Sequence, residues 1–257
     1  AAAKYVLRAR MVRAGGMDDE DVVRGAHLWL PLEVGRVGVK AGPLMAAPDM
    51  VRITITGSGG HAAQPHITVD PVAVAAQVIT NLQHVVSRNV DPLQSAVVSI
   101  TRIAGGTTHN VIPGSVEMEG TVRTFDEALR TEMPRLIERI IAGVTSAHGA
   151  SYSFSYERGY RPVVNDERAA ELLRRAVVNA LGEEFLTEAI PSMGGEDFSA
   201  YQQRAAGAFF YVGARCEERG IVQPHHHECF DIDERALDYG TRIFVTAALD
   251  FLTPSRR

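Results

Sequence analysis

The sequence predicts an α/β protein in which a ferredoxin-like domain interrupts a second α/β domain. Residues 48–162 follow the order β-α-β-β-α-β, and four antiparallel strands with both helices on one face are the ferredoxin-like arrangement of that order. Mixed strand and helix patterns lie on both sides, in residues 1–47 and 163–257. A single parent domain split by an insertion accounts for both observations.

The first part of the parent domain is predicted to contain one helix and two strands. Apolar residues at helical spacing predict the helix over residues 1–12, and no Ser, Thr, Asp or Asn precedes it as a cap. Residues 22–30 form an apolar run interrupted by His27 and predict a buried strand, and residues 34–40 predict another. Because the helix has no cap, we expect the chain to begin within a domain.

The inserted domain has the most regular pattern in the chain. Alternating apolar residues predict three of its strands, at residues 50–56, 115–124 and 151–157, and β-branched residues predict the fourth, at 95–103. Asp70 and Asp126 can each cap one of the two helices. The second and third strands are joined by a turn and are expected to pair. An exposed edge of such a domain is a natural pairing surface, so we expect a homodimer through this domain.

The last part of the chain returns to the α/β pattern of the parent domain. Helices are predicted at residues 166–181 and 233–252, with a strand at 208–212 between them. A short apolar run at residues 185–190 and a turn at 192–197 precede that strand.

The composition indicates a globular protein and favours a small or neutral partner over a polyanion. The net charge is −5 and shows no basic stripe, so nucleic-acid binding is disfavoured. No apolar run approaches the roughly 18 residues of a membrane-spanning helix, so no membrane partner is expected. Cys216 and Cys229 are expected to be free thiols in a reducing cytoplasm, because no secretory signal is evident.

Three consecutive histidines, at residues 225–227, are the first candidates for a functional site. Neutral imidazole is a common ligand of zinc and similar divalent ions. The alternative is a solvated surface loop, and the triplet alone does not decide between the two. His27 is also open to two interpretations, as a metal ligand or as a hydrogen-bonded core histidine.

Polar residues in the inserted domain are further candidates. His61 follows a glycine-rich loop at the end of a strand, a position suited to stabilising an oxyanion, although the loop could equally be a flexible turn. Asn110 offers an amide donor or forms a turn, and Arg123 offers a planar fork for a carboxylate or forms a salt bridge. Outside this domain, Glu196 could cap a short helix or face a cleft.

Six motifs occur in a fixed order along the chain. They are Gly-Ala-His-Leu-Trp at 25–29, Gly-Gly-His-Ala-Ala-Gln-Pro-His at 59–66, His-Asn-Val-Ile-Pro at 109–113, Gly-Thr-Val-Arg-Thr-Phe-Asp at 120–126, Met-Gly-Gly-Glu-Asp-Phe at 193–198, and His-His ahead of Phe-Asp. Together they closely resemble the dinuclear metallopeptidase family of hippurate hydrolases, N-acyl-amino-acid amidohydrolases and auxin-conjugate hydrolases. The resemblance covers nearly the whole chain.

The resemblance implies a zinc-peptidase-like α/β catalytic domain with an inserted ferredoxin-like lid that usually mediates dimerisation. It implies a substrate of the N-acyl-amino-acid or dipeptide type and two divalent metal ions, for which zinc, manganese, cobalt and nickel all suit histidine. His27 and His226, four residues before Phe230, match ligands of the two metals. The other implied roles are catalysis for His61 and Asn110, and substrate binding for Arg123, Gly194 and Glu196.

In that family the motifs that supply the remaining metal ligands precede the His-x-Trp segment, and they do not occur in residues 1–25 of this sequence. These are a Cys-Gly-His-Asp motif and a Glu-Glu pair whose first Glu is the general base. We therefore expect the chain to be a C-terminal portion of an amidohydrolase whose activity needs a further N-terminal segment. The alternative is a catalytically deficient, dimeric binding module that retains carboxylate recognition.

Overall fold

The structure is a computed structural model that describes Val12 and residues 22–253. The helix predicted over residues 1–12 lies outside these residues except for Val12. The chain divides into two compact units. We call Ala46–Pro162 with Met193–Gly195 the inserted unit, and we call the remaining described residues the first unit.

The inserted unit is built on one four-stranded antiparallel sheet. Its strands are β4 (Ala47–Thr56), β6 (Ala96–Gly105), β8 (Ser115–Thr124) and β9 (Ser151–Glu157), in the spatial order β6-β8-β4-β9. Two short strands, β5 (Gly60–His61) and β7 (Val111–Ile112), pair beside it. The predicted pairing of β6 with β8 is confirmed, and the strand order is that of the ferredoxin-like arrangement.

Two helices cover one face of this sheet, α1 (Pro71–Asn89) and α2 (Glu127–Ala147). Each begins where the sequence predicts, because an aspartate accepts backbone N–H groups of the first turn. The Asp70 carboxylate accepts the N–H of Val72 at 2.9 Å, and the Asp126 carboxylate accepts that of Leu129 at 2.6 Å. The buried side chains between helices and sheet include Ile53, Ile55, Leu82, Met118, Met133, Ile137 and Ile141.

The first unit contains a four-stranded mixed sheet. Its strands are β1 (Val22–Glu33), β2 (Val37–Val39), β11 (Leu186–Glu188) and β12 (Ala206–Arg215), in the order β1-β12-β2-β11. β1 runs parallel to β12, and β11 runs parallel to β2. A separate antiparallel pair joins β3 (Gly42–Met45) to β10 (Val163–Asn165).

Helices α3 (Glu167–Leu181) and α5 (Arg235–Leu252) pack on one face of the β1–β12 sheet. The strand β12 is buried on both sides because its residues alternate between two apolar clusters. Phe210 and Val212 pack with α3 and α5, whereas Phe209 and Tyr211 pack on the opposite face. A single-turn helix, α4 (Ser199–Gln202), lies beside that opposite face. In the part of the chain that the structure describes, no helix is long and apolar enough to cross a membrane.

A buried ion pair fixes the start of β4 in the inserted unit. Asp49 and Arg130 are 1% and 2% exposed. The guanidinium donates from Nη2 to Asp49 Oδ1 at 2.6 Å and from Nε to Oδ2 at 2.8 Å. The Tyr156 hydroxyl (2.8 Å) and the Gly159 N–H (2.9 Å) donate to the same carboxylate. Four hydrogen bonds therefore tie β4 to α2, to β9 and to the segment after β9.

Arg130→Met is expected to lower the free energy of unfolding of the inserted unit by about 3–5 kcal/mol, because it leaves the Asp49 carboxylate buried without its cationic partner. Urea denaturation followed by circular dichroism measures the change. The matched control is Arg135→Met on the same helix, whose exposed pair with Glu132 should leave the unfolding midpoint unchanged. Equal midpoints for both variants would contradict a stabilising role for the buried pair.

Candidate metal and substrate-binding site

Strand β1 places His27 and Trp29 on one face of the first unit's sheet. In the parallel pairing with β12, His27 lies opposite Tyr211. The Trp29 indole stacks on the Tyr211 ring with centroids 4.2 Å apart and planes 7° apart. The His27 ring meets the edge of Trp29 at 5.5 Å. The aromatic stack therefore forms the surface against which His27 is held.

The hydrogen bond of His27 leaves one ring nitrogen available to a metal ion. Its Nδ1 lies 2.6 Å from the carbonyl oxygen of Leu28, and since a carbonyl only accepts, Nδ1 carries the proton and donates it. Nε2 then keeps its lone pair. An N–H to backbone carbonyl bond of this kind is the usual support of a metal-binding imidazole.

Two of the three consecutive histidines are engaged by backbone N–H groups. The Nε2 atom of His225 accepts the N–H of Leu30 at 3.3 Å, and its ring lies 5.1 Å from that of His27. Burial, together with the neighbouring His27 and His226, lowers the pKa of His225, which favours the neutral ring that this bond requires. The Nδ1 atom of His227 accepts the N–H of Cys229 at 3.0 Å.

His226 differs from both of its neighbours. Among the described residues its ring makes no hydrogen bond, and it is the one non-glycine residue with a positive φ, at 68°. Strained backbone of this type clusters at functional sites. When their rings are neutral, His27 and His226 are thus the histidines of this region with a nitrogen lone pair that no hydrogen bond uses, and a lone pair is what a divalent metal requires of imidazole.

The donor set in the described part of the chain is incomplete. No group of three or more His, Cys, Asp or Glu side chains there is arranged to hold a metal ion. Two imidazoles are fewer than the four ligands of a typical zinc site. The two histidines fit metal binding by their chemistry, but they are only part of the donor set that metal binding needs.

Glu196 lies three residues before α4 in the first unit. Its Oε1 atom accepts the backbone N–H groups of Asp197 at 2.9 Å and Phe198 at 3.3 Å. Burial, assisted by the neighbouring Asp197 carboxyl, raises the pKa of Glu196 to about 7. Burial and the charge of Glu196 also raise the pKa of the Tyr211 hydroxyl. The carboxyl is therefore poised to change protonation near neutral pH.

The inserted unit brings His61 and Asn110 together across the β5–β7 pair. The Ala62 N–H donates to the Asn110 carbonyl at 3.0 Å, and His61 lies opposite Val111. The loop before His61 is a packed turn, because a Cβ at Gly57 would lie 2.1 Å from the carbonyl oxygen of Val69.

The hydrogen bonds of His61 and Asn110 leave donors on both side chains. The Nδ1 atom of His61 accepts the Ala63 N–H at 3.1 Å, so a neutral ring carries its proton on Nε2. The Oδ1 atom of Asn110 accepts the Thr108 hydroxyl at 3.3 Å, which leaves the amide NH₂ as a donor. Both residues are exposed. They therefore offer two N–H donors at one end of the inserted unit.

Arg123 lies on the outer face of the inserted unit's sheet, opposite the helices. Two other arginines on this face pair with acidic residues: Arg102 lies 3.5 Å and Arg52 lies 3.7 Å from the Glu119 carboxylate. Arg123 instead donates from Nε to the Thr121 hydroxyl at 2.9 Å. Within the described ranges it has no ion pair with an acidic side chain.

The remaining candidate, Gly194, is held by the first residues of the inserted unit. Its carbonyl oxygen accepts the Ala46 N–H at 3.0 Å. At the next position a side chain is excluded, since a Cβ on Gly195 would lie 2.5 Å from the Pro48 ring.

Sequence reasoning missed two residues that support the site. Tyr211 carried no signal beyond its place in an apolar strand. Thr121 did carry one, because residues two apart on a strand share a face, and Thr121 stands two before Arg123.

Comparisons with known proteins identify the family. The sequence profile of peptidase family M20/M25/M40 matches residues 3–250. The chain is 60% identical over 155 residues to the N-acyl-L-amino acid amidohydrolase of Geobacillus stearothermophilus, a match covering 60% of this chain and 42% of that protein. It is 40% identical over 240 residues to the N-acetylcysteine deacetylase of Bacillus subtilis, covering 93% of this chain and 61% of the relative.

Solved structures give the same assignment. An aminohydrolase structure from methicillin-resistant Staphylococcus aureus matches with a TM-score of 0.82 and 30% identity, over 95% of this chain and 63% of that one. The Bacillus subtilis YxeP protein, a dinuclear metal binding peptidase from the M20 family, matches with a TM-score of 0.78 and 34% identity, over 95% and 61%.

The chain therefore belongs to peptidase family M20/M25/M40. The predicted family and the predicted fold class, an α/β catalytic domain with an inserted lid domain, are confirmed. The chain spans 42% to 61% of the length of these two curated relatives.

Co²⁺ or Ni²⁺ is expected to quench the fluorescence of Trp29, the single tryptophan of the chain, because its ring contacts that of His27. Fluorescence titration of the 257-residue chain measures the effect. His27→Ala and His226→Ala should abolish saturable quenching, whereas His84→Ala in α1 should not change it. Quenching that survives His226→Ala but is lost in His225→Ala would assign the ligand to His225 instead.

Proposed function

We propose that the complete protein is a metal-dependent amidohydrolase that cleaves the amide bond of N-acyl or conjugated amino acids. The observation that carries the substrate class is the Arg123 guanidinium, which lacks a carboxylate partner on a face where Arg52 and Arg102 have theirs. Family membership supports the reaction class. The activities for which two relatives are named, those of an N-acyl-L-amino acid amidohydrolase and an N-acetylcysteine deacetylase, agree with it.

We propose that His27 and His226 each bind one of two divalent metal ions, with zinc, manganese, cobalt and nickel as the candidates. Their uncommitted nitrogens support this assignment. Metal ions in such a site polarise an amide carbonyl and lower the pKa of a bound water. In this proposal the other ligands, and the carboxylate that accepts the water proton, lie in a segment of the complete protein that corresponds to the part of the relatives this chain does not span.

The proposed roles of the other residues follow from the chemistry of their side chains and backbone. His61 Nε2–H and the Asn110 amide donate to the oxyanion that forms on the substrate carbonyl. Arg123 binds the free carboxylate of the substrate in two-point fashion. The backbone of Gly194 lines the substrate. Glu196, with its pKa near 7, contributes to substrate binding through a protonation state that neutral pH can change.

Arg123→Ala is expected to lower kcat/KM for N-acetyl amino acids about 10- to 100-fold, because hydrogen bonds to a charged carboxylate are lost. Steady-state kinetics of the metal-loaded full-length protein measures this, with the corresponding N-acetyl amino acid amides as carboxylate-free substrates. Arg52→Ala on the same face is the control and should leave both substrates unaffected. An equal loss on the amides would remove carboxylate recognition from Arg123.

A second candidate function is a dimeric binding module without hydrolytic activity. The incomplete donor set among the residues that the structure describes favours it for this chain taken alone. Metal analysis with an activity assay separates the two candidates. Two tightly bound ions per chain together with turnover of an N-acyl amino acid would exclude the binding module.

We further propose that the protein is a homodimer formed through the inserted unit. β6 is an edge strand of its sheet, and Ile103 on that strand is 53% exposed. An edge of ten residues with an exposed apolar side chain is a template for pairing with a second copy.

Ile103→Lys is expected to shift the protein from dimer to monomer in sedimentation equilibrium, because a charged side chain would be buried against the second copy. Ile190→Lys, a change at an 80% exposed residue of the first unit, is the control and should remain dimeric. A wild-type protein that sediments as a monomer at micromolar concentration would contradict the proposal.

We place the protein in a reducing compartment, the cytoplasm. Neither described cysteine forms a disulfide, with Cys216 buried and Cys229 exposed. The test is to titrate free thiols in the denatured, unreduced protein isolated from its source. Two free thiols are expected for a reducing compartment, and a disulfide would contradict this location.

A further inference from the structure

We propose that Thr121 is a positioning residue that orients the guanidinium of Arg123, so that its two terminal nitrogens receive the substrate carboxylate end-on. The proposal rests on the proposed function, in which Arg123 binds that carboxylate. To that function it adds a supporting residue, Thr121, which does not touch the substrate. It also adds a specific geometry for the binding of the carboxylate.

The Thr121 hydroxyl is a relay between Arg123 and the backbone. It accepts the Nε–H of Arg123 at 2.9 Å and donates its own proton to the carbonyl oxygen of Asp49 at 2.9 Å. A hydroxyl can do both at once, since it has one proton and two lone pairs. The two bonds therefore fix the direction of the Nε–H bond relative to β4.

The far end of this relay is a rigid point in the inserted unit. The carbonyl that accepts from Thr121 belongs to Asp49, and the side chain of Asp49 is buried and takes four hydrogen bonds. These bonds come from Arg130, Tyr156 and the Gly159 backbone. A buried, fully hydrogen-bonded network holds its backbone in one position. Thr121 therefore anchors Arg123 to the core of the inserted unit.

The bond at Nε selects one mode of carboxylate binding. A guanidinium presents five N–H groups in a planar fork, and a carboxylate can approach it from the side, using Nε and one terminal nitrogen, or from the end. Thr121 occupies Nε, which leaves Nη1 and Nη2 for the ligand. The fork is held before the substrate arrives, so less side-chain freedom is lost on binding.

The neighbouring arginines show that this arrangement is particular to Arg123. Arg52 and Arg102 lie on the same face in register with Glu119, and their guanidinium groups point to carboxylates. Thr54 provides a matched hydroxyl. It lies on this face opposite Glu117, and in the described part of the chain its hydroxyl makes no hydrogen bond with an arginine.

The test compares Thr121→Val, Thr121→Ser and Thr54→Val in the metal-loaded full-length protein. Thr121→Val is expected to raise KM for N-acetyl amino acids about three- to tenfold at nearly constant kcat, the fold-change of one lost hydrogen bond. KM for the N-acetyl amino acid amides should not change. Thr121→Ser keeps the hydroxyl and should restore KM, and Thr54→Val should match the wild type. If Thr121→Val does not fold, Thr121→Ala carries the same expectation.

Arg123→Ala in parallel separates this inference from the proposed function. If Arg123→Ala selectively weakens carboxylate substrates but Thr121→Val does not, the positioning role is overturned and the function of Arg123 stands. An equal rise of KM for acids and amides in Thr121→Val, or a Thr121→Ser variant as impaired as Thr121→Val, would also overturn it. If Arg123→Ala itself has no selective effect, both proposals fail.

Discussion

The buried Asp49–Arg130 pair is the interaction on which the start of β4, and the polar groups bonded to it, depend. Removing one charge of such a pair leaves the other buried and unpaired, which strongly destabilises the fold. Because the pair is complete, with Tyr156 and the Gly159 N–H on the same carboxylate, the first residues of β4 have one position. Through these residues, Thr121 and the carbonyl of Gly194 are placed as well.

The elements of the fold could be predicted because the signals that start them are local. Asp70 and Asp126 each precede a helix and accept its first N–H groups, an interaction that involves only residues two or three positions apart. Strand ends were less predictable. β12 runs to Arg215 rather than ending at residue 212, because the far end of β1 provides a partner there, with Glu33 opposite Arg215.

The candidate site was predictable in its residue types but not in its hydrogen bonding. Motif order selects the three consecutive histidines and His27. Which imidazole of the three stays uncommitted depends on the backbone N–H groups beside it, and the one that engages His225 belongs to Leu30, 195 residues away. The same holds for Arg123, whose distinctive feature is the lack of an acidic partner that Arg52 and Arg102 possess. Non-local partners of this kind leave no local pattern in a sequence.

The ion pairs on the outer face of the sheet also determine the electrostatic potential around Arg123. Arg52 and Arg102 are surrounded by Glu117, Glu119 and Glu157, so their potential is cancelled within the face. Beyond a Debye length of about 8–10 Å such an arrangement exerts little field on an approaching anion. If Arg123 binds a carboxylate as proposed, it therefore does so at contact range and not by long-range attraction. Such a face would distinguish ligands by where their negative charge lies once bound, and a polyanion would gain no general attraction to it.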